Sequence, residues 1–148
     1  MMNGRFVRAL PAITLLAWTV AALSQTGDCP QQRSTYKAPD EVYTLANPHR
    51  PTPEGVAVGR RLYEKDANPA CEMCHGIKGD GRGPLETQFL PRPRNFTCGM
   101  MLDEIPDGQL FWIIQNGSPD TSMPAYKKLS DAQIWRIILY LRTLSKSN

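Results

Sequence analysis

At 148 residues the chain has the length of one domain, and its 13 prolines point to a large share of irregular backbone. The formal charge of +3 overstates the balance: without Arg5 and Arg8, which sit in a targeting segment, Lys and Arg fall from 17 to 15 against 14 acids, about +1. No basic run with interleaved aromatics occurs, which sets nucleic acid aside as a partner.

The first 24 residues read as an export signal. Arg5 and Arg8 form a positive start, Ala9 to Leu23 is largely apolar, and Ala22-Leu23-Ser24 is a small-x-small cleavage site before Gln25. The apolar stretch is short of the roughly 20 residues that span a bilayer, and Pro11 interrupts it; an uncleaved N-terminal anchor is the alternative. Export implies a periplasmic location in an oxidising compartment. Residues 25–51 are polar and punctuated by Pro30, Pro39, Pro48 and Pro51, with no helical or strand period. They read as an extension running over a domain surface or as a disordered leader. A lipidated Cys29 is disfavoured by Asp28 just before it.

The domain proper is expected over residues 52–148. Thr52-Pro53-Glu54-Gly55 supplies an N-cap and a proline at the first helical position. The pattern that follows predicts a helix from Pro53 to Lys65, ended near Asn68-Pro69. Gly59 is costly inside a helix and makes sense where a second helix crosses at close range.

Cys71-Glu72-Met73-Cys74-His75 spells C-x-x-C-H, the pattern of c-type haem attachment. Two cysteines three apart share one face of a helical turn, where both sulfurs can reach the vinyl groups of one porphyrin. His75, next in sequence, can place its imidazole under the iron. The porphyrin then supplies much of the apolar surface that the chain must cover. A thioredoxin-like dithiol requires a strand before the motif, and none is read here. A zinc site assembled from Cys71, Cys74, Cys98 and either His75 or Cys29 fits no ribbon or finger spacing. With Cys71 and Cys74 used by haem, Cys29 and Cys98 remain as an even pair and are the candidates for a disulfide.

Four glycines from Gly76 to Gly83 make the next segment a loop, turning tightly against the porphyrin edge. The phosphate-binding pattern G-x-x-x-x-G-K-[ST] is absent. Arg92 and Arg94, in a stiff proline-rich run, are candidates for pairing with a haem propionate. Asp107 to Gly117 reads as a short helix capped by Asp107 and stopped by Gly117. Ser130-Asp131-Ala132-Gln133 is a capping box that opens a helix to about Ser145. Its buried stripe is Ile134, Ile137, Ile138, Leu141 and Leu144, widened by Trp135 and Leu139.

The second axial ligand decides what the iron does. A thioether is soft and neutral and favours the reduced state. Met123, in a loop before Pro124, is preferred over Met100 and Met101; Met73 is too close to the attachment turn to reach the opposite face. His49 is the remaining histidine and the sole candidate for bis-histidine ligation.

Together these pieces resemble the class I cytochromes c in their small bacterial single-haem form, over about Pro53 to Leu144. The matching parts are Gly59 and Tyr63, Cys71 to His75, Gly83-Pro84-Leu85, Ser122-Met123-Pro124, and Ile137, Tyr140 and Leu141. The resemblance implies an all-α cytochrome c fold: three to five short helices wrapped around one covalent haem c, with the first and last helices crossing at Gly59. It implies His75 and Met123 as axial ligands and the Pro84 carbonyl as acceptor of the His75 Nδ1–H. Pro84, Arg94 and Tyr126 are candidate haem contacts beside Cys71 and Cys74. The implied function is electron transfer between a donor and an acceptor protein, either as a carrier or as the cytochrome subunit of a larger respiratory oxidoreductase, including association with a membrane complex. The alternative is a haem enzyme or gas sensor with an open distal site.

Overall fold

The computed structural model describes residues 29–31 and 33–145; the export signal and its cleavage site lie outside the described residues. Within them the chain is helical, without a strand. The α-helices are α1 (Asp40–Tyr43), α2 (Pro53–Arg61), α3 (Glu72–His75), α4 (Gly99–Leu102), α5 (Asp107–Asn116) and α6 (Asp131–Leu144). That is more than the three to five expected. The surplus comes from α1, α3 and α4, each of 4 residues and too short to show a period.

Helix α2 begins as its sequence dictates. The Thr52 hydroxyl accepts a hydrogen bond from the Gly55 amide at 3.1 Å, and Pro53 stands where its missing N–H costs nothing. The helix does not stop at Arg61 but widens into a π-helical turn over Leu62–Asp66, which buries Leu62 and Tyr63. At α6 both halves of the capping box form: Ser130 accepts from the Gln133 amide and the Gln133 side chain accepts from the Ser130 amide. Helix α5 corrects the expectation for Asp107. Its cap position is Pro106, with no side-chain bond there, and Asp107 is the first helical residue. The carboxylate turns to Arg142 on α6 instead, accepting from Nε at 2.8 Å. Arg142 also donates to the Leu102 and Ile105 carbonyls, so one guanidinium ties α6 to the end of α4 and the start of α5.

Helices α2 and α6 cross, and Gly59 sits at the crossing. A Cβ there would lie 1.9 Å from the Arg136 carbonyl oxygen. Just beyond, Tyr63 and Tyr140 meet edge to face with centroids 5.3 Å apart. The obstacle to a larger residue at 59 is backbone, which cannot rotate away. Gly59→Ala gains about 1 kcal/mol of helix propensity but forces the helices apart at a cost of about 3 kcal/mol. The expected net loss is about 2 kcal/mol, read by guanidinium unfolding of the haem-loaded protein.

The core lies along α6. Ile134, Ile137 and Ile138 are fully buried together with Tyr63 and Leu102, and Trp135 stacks on Phe111 of α5 at 4.4 Å. Residues 29–31 and 33–51 are strapped over this core. Cys29 and Cys98 form a disulfide. The Ala38 amide donates to Gln109 Oε1 at 2.7 Å, Gln109 Nε2 donates to the Tyr36 carbonyl, and Asn47 Nδ2 donates to the Trp135 carbonyl at 2.9 Å. Helix α1 packs on α5. No helix among the described residues is long and apolar enough to cross a membrane.

Candidate functional site

Cys71 precedes α3 and Cys74 and His75 close it, so the single helical turn carries the whole motif. The turn is pinned from outside by backbone. The Cys71 amide donates to the Tyr63 carbonyl at 2.9 Å, tying the motif to the π turn of α2, and the Tyr63 hydroxyl donates to the Gly76 carbonyl at 2.7 Å. From below, the Gly83 amide donates to the Cys74 carbonyl and the Leu85 amide to the Met73 carbonyl. A Cβ on Gly83 would lie 2.5 Å from the Met73 carbonyl oxygen. The tight approach expected of the glycine-rich loop is therefore made to the attachment turn itself.

Both thiols are free. Burial pushes Cys71 up to about 12 and raises Cys74 as well. Protonated thiols of this kind are poor nucleophiles, the opposite of a thioredoxin-like pair. Cys98 is consumed by the disulfide, and no cluster of metal-ligating side chains occurs among the described residues, so the zinc reading has no donor set.

His75 is buried, and desolvation lowers its pKa to about 4. It stacks on Phe96 with centroids 4.5 Å apart. Its Nδ1 lies 3.0 Å from the Arg94 carbonyl oxygen. A carbonyl only accepts, so the neutral ring carries its proton on Nδ1 and leaves the Nε2 lone pair free for a metal. This corrects the role expected of Pro84. Pro84 is exposed and does not border the cavity, because its neighbours Gly83 and Leu85 are bonded to the attachment turn. Arg94 supplies the acceptor instead.

A cavity of about 380 Å³ opens beside the turn, within the range of cofactor sites. Cys71, Cys74, His75, Arg94, Met123 and Tyr126 all border it. Tyr126 is held by its hydroxyl, which donates to the Pro69 carbonyl at 2.9 Å. Met123 stands in a loop closed by the Ser118 amide donating to the Met123 carbonyl and the Thr121 hydroxyl accepting from the Met123 amide, both at 3.2 Å. Of the rivals, Met100 is exposed and off the cavity, whereas Met101 borders it. His49 does not border it. Arg92 reaches the wall but is paired with Glu86 at 2.6 Å. Two residues had no signal in the sequence: Phe96, which holds the imidazole plane, and Arg33, which reaches the cavity from the extension.

The residues fit a covalent haem. Two protonated, unpaired thiols border an otherwise largely apolar cavity together with an imidazole whose tautomer leaves Nε2 available. Residues 54–141, more than half of the chain, match the family model described as cytochrome c oxidase, cbb3-type, subunit III. Among solved structures, a chain of the Kuenenia stuttgartiensis reducing HAO-like protein complex is similar at 28% identity and a TM-score of 0.59. The likeness covers 76% of this chain and 51% of that one, so the chain spans about half the length of its neighbour. The c-type cytochrome SorU of Sinorhizobium meliloti is similar at 19% identity and a TM-score of 0.46, over 64% of this chain and 94% of that one. No curated protein matches. The chain thus belongs to the family described as cytochrome c oxidase, cbb3-type, subunit III: it is an all-α, small single-haem c-type cytochrome that binds haem c covalently.

Proposed function

We propose that the protein is an exported, periplasmic electron carrier whose iron is held by His75 and Met123, passing one electron at a time between a donor and an acceptor protein. The observation that carries this reading is the common cavity bordered by Cys71, Cys74, His75 and Met123. When bound, the haem supplies the iron that gains and loses the electron. Cys71 and Cys74 anchor it by thioethers and prevent its loss. His75 offers Nε2 because Arg94 holds the other nitrogen as a donor, and Phe96 keeps the ring from turning. Met123, on a loop tied at both its amide and its carbonyl, would supply a thioether to the iron and so close the site to substrate chemistry. With both ligands kept in either oxidation state, little rearrangement of these residues would be needed.

The likeness to a chain of a named protein complex supports the variant in which this cytochrome docks on a larger oxidoreductase. Transient redox partners meet over small surfaces, whereas a fixed subunit copurifies with its complex.

Intact mass and the pyridine haemochrome spectrum of the protein purified from a periplasmic extract test the reading. The expected result is one haem with both vinyl groups saturated, a chain beginning at Gln25, and one disulfide. Recovery with zinc, or with a Cys71–Cys74 disulfide and no haem, would overturn it.

A further inference from the structure

Three arginines border the cavity: Arg33, Arg92 and Arg94. Arg92 has its counter-ion in Glu86. Arg33 and Arg94 have no acidic partner among the described residues, although both are half-buried. Arg94 Nη2 donates to the Thr35 hydroxyl at 2.8 Å, and Arg33 donates from Nη2 to the Arg92 carbonyl; both acceptors are neutral. Arg33 Nε is buried and has no hydrogen-bond partner among the described residues. The acidic side chain on the same wall, Glu104, is exposed and pairs with neither arginine.

The two half-buried guanidinium groups repel one another. Arg33 adds to the desolvation that brings Arg94 down to about 10, and both charges also disfavour protonation of His75. Such a pair without acidic partners suits an incoming anion, and the planar guanidinium fork matches carboxylates as well as phosphates. Haem brings two carboxylates, its propionates, into the cavity that these arginines border. We infer that Arg33, supplied by the N-terminal extension, and Arg94 together form a two-guanidinium clamp on the haem propionates. The inference rests on the haem reading above but goes beyond it. Arg33 precedes the residues matched by the family, 54–141, so this half of the clamp comes from outside the matched domain.

The extension is built to hold Arg33 there. The Cys29–Cys98 disulfide fixes the chain just before it. Gln31 donates from Nε2 to the Pro93 carbonyl at 3.1 Å and accepts from the Asn95 amide at 2.9 Å. Thr35, just after it, meets the Arg94 side chain. The segment that carries Arg33 is thus bonded to the segment that carries Arg94, on both sides of both residues.

The clamp has a consequence for the potential. Ferric haem carries one more positive charge than ferrous haem, so unpaired propionates favour the oxidised state and paired ones release that bias. Arg33→Gln in the full haem-loaded protein is therefore expected to lower the midpoint potential, raising the ratio of oxidised to reduced protein several-fold at a fixed ambient potential. It should also shift the propionate bending band in the resonance Raman spectrum. Arg33→Lys keeps the charge but not the fork; it should restore most of the potential while leaving the band displaced. If Arg33→Gln does not accumulate, Arg33→Lys and Arg94→Lys carry the test through the Raman band alone. An unmoved potential and an unmoved band in folded variants would overturn the clamp. A pyridine haemochrome spectrum without thioether-bound haem in the wild type would instead overturn the haem reading.

Discussion

Met123→Ala is expected to lower the midpoint potential by roughly a few tenths of a volt, a sizeable part of the roughly 0.8 V over which axial ligands tune haem iron. The soft thioether stabilises ferrous iron; an alanine leaves that position to water or to nothing. In the oxidised spectrum the weak long-wavelength sulfur–iron band should vanish, and the reduced variant should bind carbon monoxide rapidly where the wild type does not. Met101 also borders the cavity, so Met101→Ala is the control. A variant that leaves the band intact at 123 and abolishes it at 101 would move the ligand to α4. Rapid carbon monoxide binding by the wild type would favour the open-site alternative.

Replacing Cys29 and Cys98 by serine is expected to cost about 4 kcal/mol of stability, from the loss of a cross-link between residues 69 apart in sequence. For a domain of this size the melting temperature should fall on the order of 15 °C. The haem stays attached, since Cys71 and Cys74 are untouched. The strap over residues 33–38 should exchange its amide hydrogens faster than α6, because what then holds the extension is a few hydrogen bonds, to Arg92, Pro93, Arg94, Asn95 and Gln109. Hydrogen exchange and thermal melts of the holoprotein measure both effects. An unchanged melt would mean that packing alone holds the extension.

The parts of the fold that were legible in the sequence are those whose physics is local. Thr52-Pro53 and Ser130-x-x-Gln133 cap helices through bonds spanning three residues, and the spacing of Ile134, Ile137, Ile138 and Leu141 follows one face of α6. Gly59 was legible because glycine in a helix has few other uses. The misreadings concern contacts whose partners lie far along the chain. Asp107 looks like a cap until Arg142, 35 residues on, draws its carboxylate away. The acceptor for His75 Nδ1 is a backbone carbonyl 19 residues away, and any residue type can present one; the resemblance pointed to Pro84, whose neighbours Gly83 and Leu85 are bonded to the attachment turn instead. The extension shows no period because single polar contacts and one disulfide, not a repeating apolar face, hold it down. For that reason Arg33 could not be singled out.

The disulfide has one more consequence, in the order of events during maturation. Its loop encloses the attachment turn, so four thiols emerge in the sequence order 29, 71, 74, 98. Contact probability falls as the intervening chain lengthens, so under oxidation Cys71 and Cys74 meet each other long before Cys29 finds Cys98. The productive product is the kinetically disfavoured one. Correct sorting requires that the close pair be kept reduced, or captured by porphyrin, while the distant pair closes, and a cell lacking that temporal separation should accumulate a scrambled, colourless chain.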